Sequence, residues 1–206
     1  MNMPEVTKED FKIPARPNMR MRVIGISQTQ LLTTKLHLDP TICNGEVVSD
    51  TERDVLKMAV CERHHNTGNI GLGFVYGFGL KKGAIATTVG HDSHNLSVVG
   101  TNDEDMVVAV NRLREIGGGL IVVSEGQVRA TVPLAIAGLM SDRDAVAVNA
   151  QIRQLEFWVK ELGIPEEFST FMILAFLSLP VIPELRLTDR GLVDVVRFEH
   201  VDLWCD

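Results

Sequence analysis

The sequence predicts a mixed α/β domain in which a β-sheet carries packed helices. Three observations lead there. Short β-branched runs such as "MRVIGIS", "GAIATTVG" and "NLSVVG" recur between turn residues. Two longer segments, around residues 101–117 and 141–163, carry helical start and stop signals. Strand-like and helix-like segments interleave along the chain instead of separating into blocks.

Residues 1–19 read as an irregular arm, because Pro4, Pro14 and Pro17 interrupt regular structure. The domain proper is expected over residues 20–206. "MRVIGIS" reads as its first strand and "LLTTKLHL" as a second, with Asn44-Gly45 as a turn signal beyond it. The segment "DTERDVLKMAVCERHHN" is open to two readings. Val55, Met58 and Ala59 suit a helical stripe, yet "VLKMAVCE" also alternates, and strand is favoured for the second half.

The glycine-rich stretch "GNIGLGFVYGFGLKKG" is too apolar for a flexible linker. Its glycines permit positive φ or let another backbone come close. It forms neither a dinucleotide fingerprint nor a Walker A loop. "GAIATTVG" and "NLSVVG" follow as buried strands. "TNDEDMVVAVNRLREIGGG" then reads as a helix capped by Thr101 or Asn102, with acidic residues in its first turn and Gly117 at its end. "GLIVVSEGQVRATVPL" predicts a hairpin turning at Glu125-Gly126. A second helix, capped by Ser141 or Asp142, should close at Gly163. "FSTFMILAFLSLPVIPEL" suits a buried helix or strand, broken at Pro180 and Pro183.

Composition narrows the function classes. The 206 residues are 45% hydrophobic, enough for one sizeable core or two small ones. A formal charge of -7 argues against attraction to nucleic-acid phosphate or an anionic membrane. No apolar run approaches the roughly 20 residues that cross a bilayer. The first residues match neither a signal nor a transit peptide. Cys43, Cys61 and Cys205 form no CxxC pair, so reduced thiols and a cytoplasmic location are expected.

Two polar constellations flank the glycine-rich stretch. "HDSHN" contributes His91, Asp92, His94 and Asn95, and "CERHHNTGN" contributes Glu62, Arg63, His64 and His65. Imidazole and carboxylate suit zinc, manganese or iron, but no HExxH, HxH or Cys/His zinc spacing is present. Two other readings stand. One is a hydrogen-bonded turn network that supports the loops. The other is a site rim whose histidines and carboxylates contact a polar substrate. Ser93 lacks a nucleophile elbow, Cys61 suits a buried packing residue, and His37 and His200 stand apart.

The long block from "ERHHNTGNIGLGF" to "GGGLIVV", then "VPLAIAGLMSD", "LSLPVIPELRLTDRGLVDV" and "FEHVDLW", resembles the C-terminal domain of adenine deaminase, an amidohydrolase-superfamily enzyme. The resemblance runs from about Phe11 to the end, and HDSHN is a hallmark of it. It implies hydrolytic deamination of adenine to hypoxanthine and ammonia, in purine metabolism, by a complete enzyme that uses a divalent metal: manganese, iron or zinc. The family's metal ligands sit on a (β/α)₈ barrel of around 200 residues or more, and nothing here corresponds to it.

The resemblance therefore implies a fragment, a separately encoded domain, or a relic paired with a barrel on another chain. No metal is expected on this chain alone. His91, Asp92 and His94 are then candidate catalytic contacts, and Glu62, Arg63, His64, His65 and Asn95 candidate substrate-binding residues. The expected partners are adenine and an amidohydrolase barrel, with a homo-oligomer also open. The alternative is a non-catalytic module that binds a purine or a partner protein.

Overall fold

The computed structural model describes residues 1–27, 30–166 and 168–206. After a 3₁₀ turn at Lys8–Phe11 come strands β1 (Arg20–Ile26), β2 (Thr33–Leu38), β3 (Ile42–Cys43), β4 (Glu46–Val47), β5 (Val55–Cys61), β6 (Ile70–Tyr76), β7 (Ala84–Thr87) and β8 (Leu96–Gly100). Helix α1 (Asp103–Ile116) leads to strands β9 (Gly119–Ser124) and β10 (Gln127–Pro133). Helices α2 (Ala145–Glu161) and α3 (Thr170–Phe176) follow. The chain ends in β11 (Leu185–Thr188), β12 (Gly191–Asp194), β13 (Glu199–Val201) and β14 (Trp204–Cys205).

One nine-stranded sheet organises the described residues, in the order β10-β9-β7-β8-β5-β6-β1-β14, with β2 also paired to β1. Its ladders are antiparallel except for β1 with β6. β11, β12 and β13 form a separate small sheet. No barrel is present among the described residues.

β5 explains how the layers stack. Every one of its residues is buried. Leu56, Met58 and Val60 face a core shared with Leu155 and Val159 of α2, Leu174 of α3, and Leu185 and Leu187 of β11. Ala59 and Cys61 face the opposite core, made with Met106, Val110 and Leu113 of α1. The two-residue period of a strand sends alternate side chains to opposite layers. A central strand covered on both faces therefore reads as an unbroken apolar run. This settles the open segment: Thr51 to Asp54 is a turn, and pairing with β6 and β8 overrides the helical stripe.

The arm of residues 1–19 is irregular apart from its 3₁₀ turn, but it is packed down. Met3, Val6 and Phe11 are buried against the α1 layer. Lys57, only 2% exposed on β5, locks it there: its ammonium donates to the Phe11 carbonyl at 2.9 Å and pairs with Asp103 at 2.7 Å. Arm, sheet and the start of α1 thus meet at one buried charge.

Helix ends follow the expected chemistry at α1. Asn102 caps it by accepting from the Asp105 N–H at 2.8 Å, and Gly117 ends it at φ 85° in the left-handed region. The cap of α2 differs from expectation. Asp144, not Ser141 or Asp142, accepts from the N–H groups of Val146 and Ala147, both at 2.9 Å. Ser141 instead accepts from the Arg143 N–H at 3.2 Å in the turn just before, so the helix starts later. "FSTFMILAFLSLPVIPEL" resolves as the short helix α3, which stops before Pro180.

Gly71 and Gly73 have a packing reason. A Cβ on Gly71 would collide with the Thr188 carbonyl oxygen, and one on Gly73 would touch Leu187 and Leu192 at 3.4 Å. Their bare backbones let the β11–β12 hairpin lie directly on β6.

Candidate functional site

β5 and β8 are antiparallel neighbours, with Cys61 opposite Leu96. The residues that leave β5 and those that enter β8 consequently emerge side by side. This register brings the two polar constellations together at one end of the sheet.

Glu62 shapes the first turn. Burial would raise its carboxyl pKa, but N–H donors from Thr67, His64 and His65 and the Thr67 hydroxyl outweigh that, and it falls to about 2. The donors lie at 3.1 Å for Thr67 N, 2.5 Å for His64 N, 2.8 Å for His65 N and 3.0 Å for the Thr67 hydroxyl. Both oxygens are therefore engaged by its own loop.

Arg63 ties that turn to its neighbours. It is 5% exposed, donates from Nε to the His94 carbonyl, and donates from an Nη to the Ala137 carbonyl at 3.0 Å. Burial lowers its pKa from the ordinary guanidinium range. Thr88 binds the same outer loop by donating to the Gly138 carbonyl at 2.6 Å. Among the described residues Arg63 has no carboxylate partner, and it acts as a clasp for three loops.

His64 and His65 lie in a turn beyond the end of β5, not on the strand. Both are exposed. The His64 ring reaches the second constellation through Nε2, 2.8 Å from the Ser93 carbonyl. His91 packs against Phe176 of α3 with ring centroids 4.5 Å apart, and its backbone N–H donates to Ala175 at 2.9 Å. Its ring centroid is 6.2 Å from that of His94.

His94 sits at φ 49°, and its Nδ1 is buried without a protein partner among the described residues. Burial, followed by His91, Arg63 and His64, lowers its pKa, while Asp92 opposes them. His94 therefore favours the neutral imidazole near pH 7. Asp92 and Ser93 are exposed.

Asn95 is 4% exposed and donates through Nδ2 to Asp189 Oδ1 at 3.1 Å. The other Asp189 oxygen accepts from Asn69 Nδ2 at 3.4 Å. Asp189, at the β11–β12 turn, was not singled out by the sequence as a site residue. The "TDRG" turn signal between two short strands marks its position. Beside it, a cleft of about 370 Å³ is bounded by Asp92, Ser93, Ser178, Leu179, Thr188 and Asp189.

The metal chemistry that the resemblance implies for a complete enzyme does not fit this cluster. Among the described residues, no three His, Cys, Asp or Glu side chains are grouped to hold an ion. Glu62 is saturated by N–H donors, and His64 Nε2 faces a carbonyl. No described helix is long and apolar enough to cross a membrane.

The described residues form a layered α/β domain with converging polar loops and without a (β/α)₈ barrel. A family model described as the adenine deaminase C-terminal domain matches residues 30–199. The chain belongs to that family. It is 54% identical over 201 residues to adenine deaminase 2 of Carboxydothermus hydrogenoformans, covering 98% of this chain and 35% of that protein. It is 52% identical to adenine deaminase of Methanothrix thermoacetophila, again covering 98% and 35%. It is 48% identical to adenine deaminase of Bacillus pumilus, covering 97% and 34%. The chain thus spans about a third of the length of the curated relatives it matches.

Proposed function

We propose that this chain serves as the C-terminal domain of an adenine deaminase, in the hydrolytic conversion of adenine to hypoxanthine and ammonia. The observation that carries the reading is the identity of 54% over 98% of the chain to a protein named adenine deaminase 2. The catalytic work requires an amidohydrolase barrel, in cis or on another chain, and the divalent metal belongs to that barrel. The three free cysteines are consistent with a cytoplasmic setting.

In this reading His91, Asp92 and His94 hydrogen-bond to substrate or to groups of the barrel's site. His64, His65 and Asn95 extend the same rim. Glu62 and Arg63 belong to it as positioning residues, since their charged atoms hold the turns. A neutral His94 can donate from one ring nitrogen and accept at the other.

Reconstitution tests the reading. Ammonia release from adenine is measured for the 206-residue chain, for the remaining portion of the Carboxydothermus hydrogenoformans relative, and for both together, each with manganese, iron or zinc. The mixture should deaminate well above either part. His91→Ala and His94→Ala should each lower its kcat/KM by about tenfold or more. A mixture no better than the barrel portion alone, under every metal, would sink the proposal.

A further inference from the structure

The loop between β10 and α2 is held tightly for a connection whose tip is apolar and exposed. Ala137 holds φ 56° without being glycine, and Gly138 holds φ 71° beside it. A narrow bridge closes the loop: the Ile136 N–H donates to the Met140 carbonyl at 3.0 Å, and the Met140 N–H donates to the Ile136 carbonyl at 3.1 Å. Bare backbones pack at its base, where a Cβ on Gly118 would lie 2.5 Å from the Gly138 Cα.

Two buried side chains from elsewhere in the domain also hold it. Thr88 donates to the Gly138 carbonyl at 2.6 Å, and the Arg63 guanidinium donates to the Ala137 carbonyl at 3.0 Å. A desolvated guanidinium is costly to keep. What this frame presents to solvent is apolar: Ile136 is 47% exposed and Met140 58%. Exposed apolar side chains on a rigid frame suit a contact surface, because little ordering is left for binding to impose.

The backbone of Arg63 indicates what arrives there. Its carbonyl accepts from the Asn2 N–H at 3.1 Å, and the Asn2 carbonyl accepts from the Asn66 N–H at 3.0 Å. The Asn2 side chain donates to the His64 carbonyl at 3.0 Å. One residue thus joins the start of the chain to the Ile136 loop. In the curated relatives the matched stretch is about a third of the protein, and the family model describes that stretch as C-terminal. The rest of such a relative is therefore joined next to Asn2, beside this loop. The α2–α3 groove is apolar as well, with Met172 57% exposed, but it lies on the sheet face opposite the arm.

We infer that the loop of residues 134–141 docks on the portion of an adenine deaminase that precedes this domain, with Ile136 and Met140 as its apolar anchors. This rests on the reading of the chain as the C-terminal domain of such an enzyme, and it names the surface that grips the rest. Arg63 is its positioning residue, because it fixes the loop, the HDSHN turn and the first residues of the chain at once.

The test joins this chain to the preceding portion of the Carboxydothermus hydrogenoformans relative, in place of that protein's own matched third. Methionine oxidation by dilute hydrogen peroxide is followed by peptide mass spectrometry in this hybrid and in the 206-residue chain alone. Met140 and Met172 start almost equally exposed, at 58% and 57%, so Met172 is an internal control. In the hybrid Met140 should oxidise about tenfold more slowly than in the free chain, while Met172 keeps its rate within about twofold. Ile136→Asp in the hybrid should return Met140 to its free-chain rate. The same variant of the free chain should melt as wild type, because Ile136 is half exposed. Hydroxyl-radical footprinting of the intact relative answers the question even where the hybrid misfolds. There the stretch matching residues 134–141 should be labelled less than the stretch matching residues 164–172.

Met140 oxidised as fast in a folded hybrid as in the free chain overturns the inference. So does slowing of Met172 with Met140 unchanged, which moves the docking face to the α2–α3 groove. A free chain that sediments as a dimer, and that Ile136→Asp makes monomeric, assigns the loop to a second copy and overturns it too. Ammonia release from adenine, measured on the same hybrid, keeps the two readings apart. Deamination with Met140 unprotected leaves the deaminase role standing and this inference lost. Met140 protected without deamination does the reverse.

Discussion

Asn95 Nδ2 donates to Asp189 Oδ1 at 3.1 Å, joining the start of β8 to the β11–β12 turn across 94 positions of sequence. That contact makes the rim of the site a product of two sheets. Removing the donor leaves a carboxylate with one amide contact fewer. Asn95→Ala should destabilise the domain by about 1.5–3 kcal/mol. Amide exchange at residues 188–191 should quicken more than in the helices; unchanged exchange there would show that the hairpin is held by packing alone.

The same hairpin depends on Gly71. An added Cβ meets the Thr188 carbonyl, a backbone atom that cannot rotate away. Gly71→Ala should cost about 1–3 kcal/mol by overpacking and shift the amide signals of the β11–β12 hairpin. Gly45→Ala is the control. It has no neighbour within 4 Å, and only its φ of 82° opposes substitution, so its effect should stay local to the β3–β4 turn.

Lys57 offers a buried-charge test. Lys57→Met keeps most of the volume but strands Asp103 and the Phe11 carbonyl. A loss of about 2–4 kcal/mol is expected in urea unfolding. Early proteolysis within the arm should accompany it. Wild-type stability and arm protection would mean that Met3, Val6 and Phe11 hold the arm unaided.

Glu62 sets a pH dependence of definite sign. Its folded pKa, about 2, lies below the ordinary 4.5, so its stabilisation is present above about pH 4.5 and is lost as pH falls towards 2. Its contribution is on the order of 1–3 kcal/mol, the range for hydrogen bonds to a charged group. The stability gap between wild type and Glu62→Gln should therefore be widest near neutral pH and shrink on acidification. A gap that does not change with pH would refute the assignment.

His94 should titrate below its ordinary value of 6.5, because burial and the neighbouring positive groups outweigh Asp92. Histidine NMR titration checks this directly. Asp92→Asn removes the opposing negative charge and should lower the His94 midpoint further; a rise would reverse the electrostatic picture of the turn.

The α2 cap gives a local check on where the helix begins. Asp144→Ala should cost about 1 kcal/mol, whereas Asp142→Ala should be nearly neutral. The reverse ordering would place the helix start earlier than observed.

Local chemistry was sufficient for much of this molecule. β-Branched runs mark β1, β7 and β8, Asn102 and Gly117 bracket α1, and Glu125-Gly126 turns the β9–β10 hairpin at φ 57° and 70°. These features depend on propensity and on hydrogen bonds spanning a few residues, and such information is carried in the sequence itself. The same holds for the polar character of HDSHN and ERHH and for the family resemblance that they carry.

Tertiary structure decided what local chemistry leaves degenerate. Val55–Cys61 is a strand because β6 and β8 pair with it on either side, an interaction no window of sequence contains. Competing caps at Ser141, Asp142 and Asp144 differ only in which N–H groups each can reach once the preceding turn is formed. The rim itself exists because Cys61 aligns with Leu96 and because Gly71 seats a distant hairpin that carries Asp189 to Asn95. Side-chain type is a local property, but convergence depends on register and close backbone approach, which only the folded chain possesses.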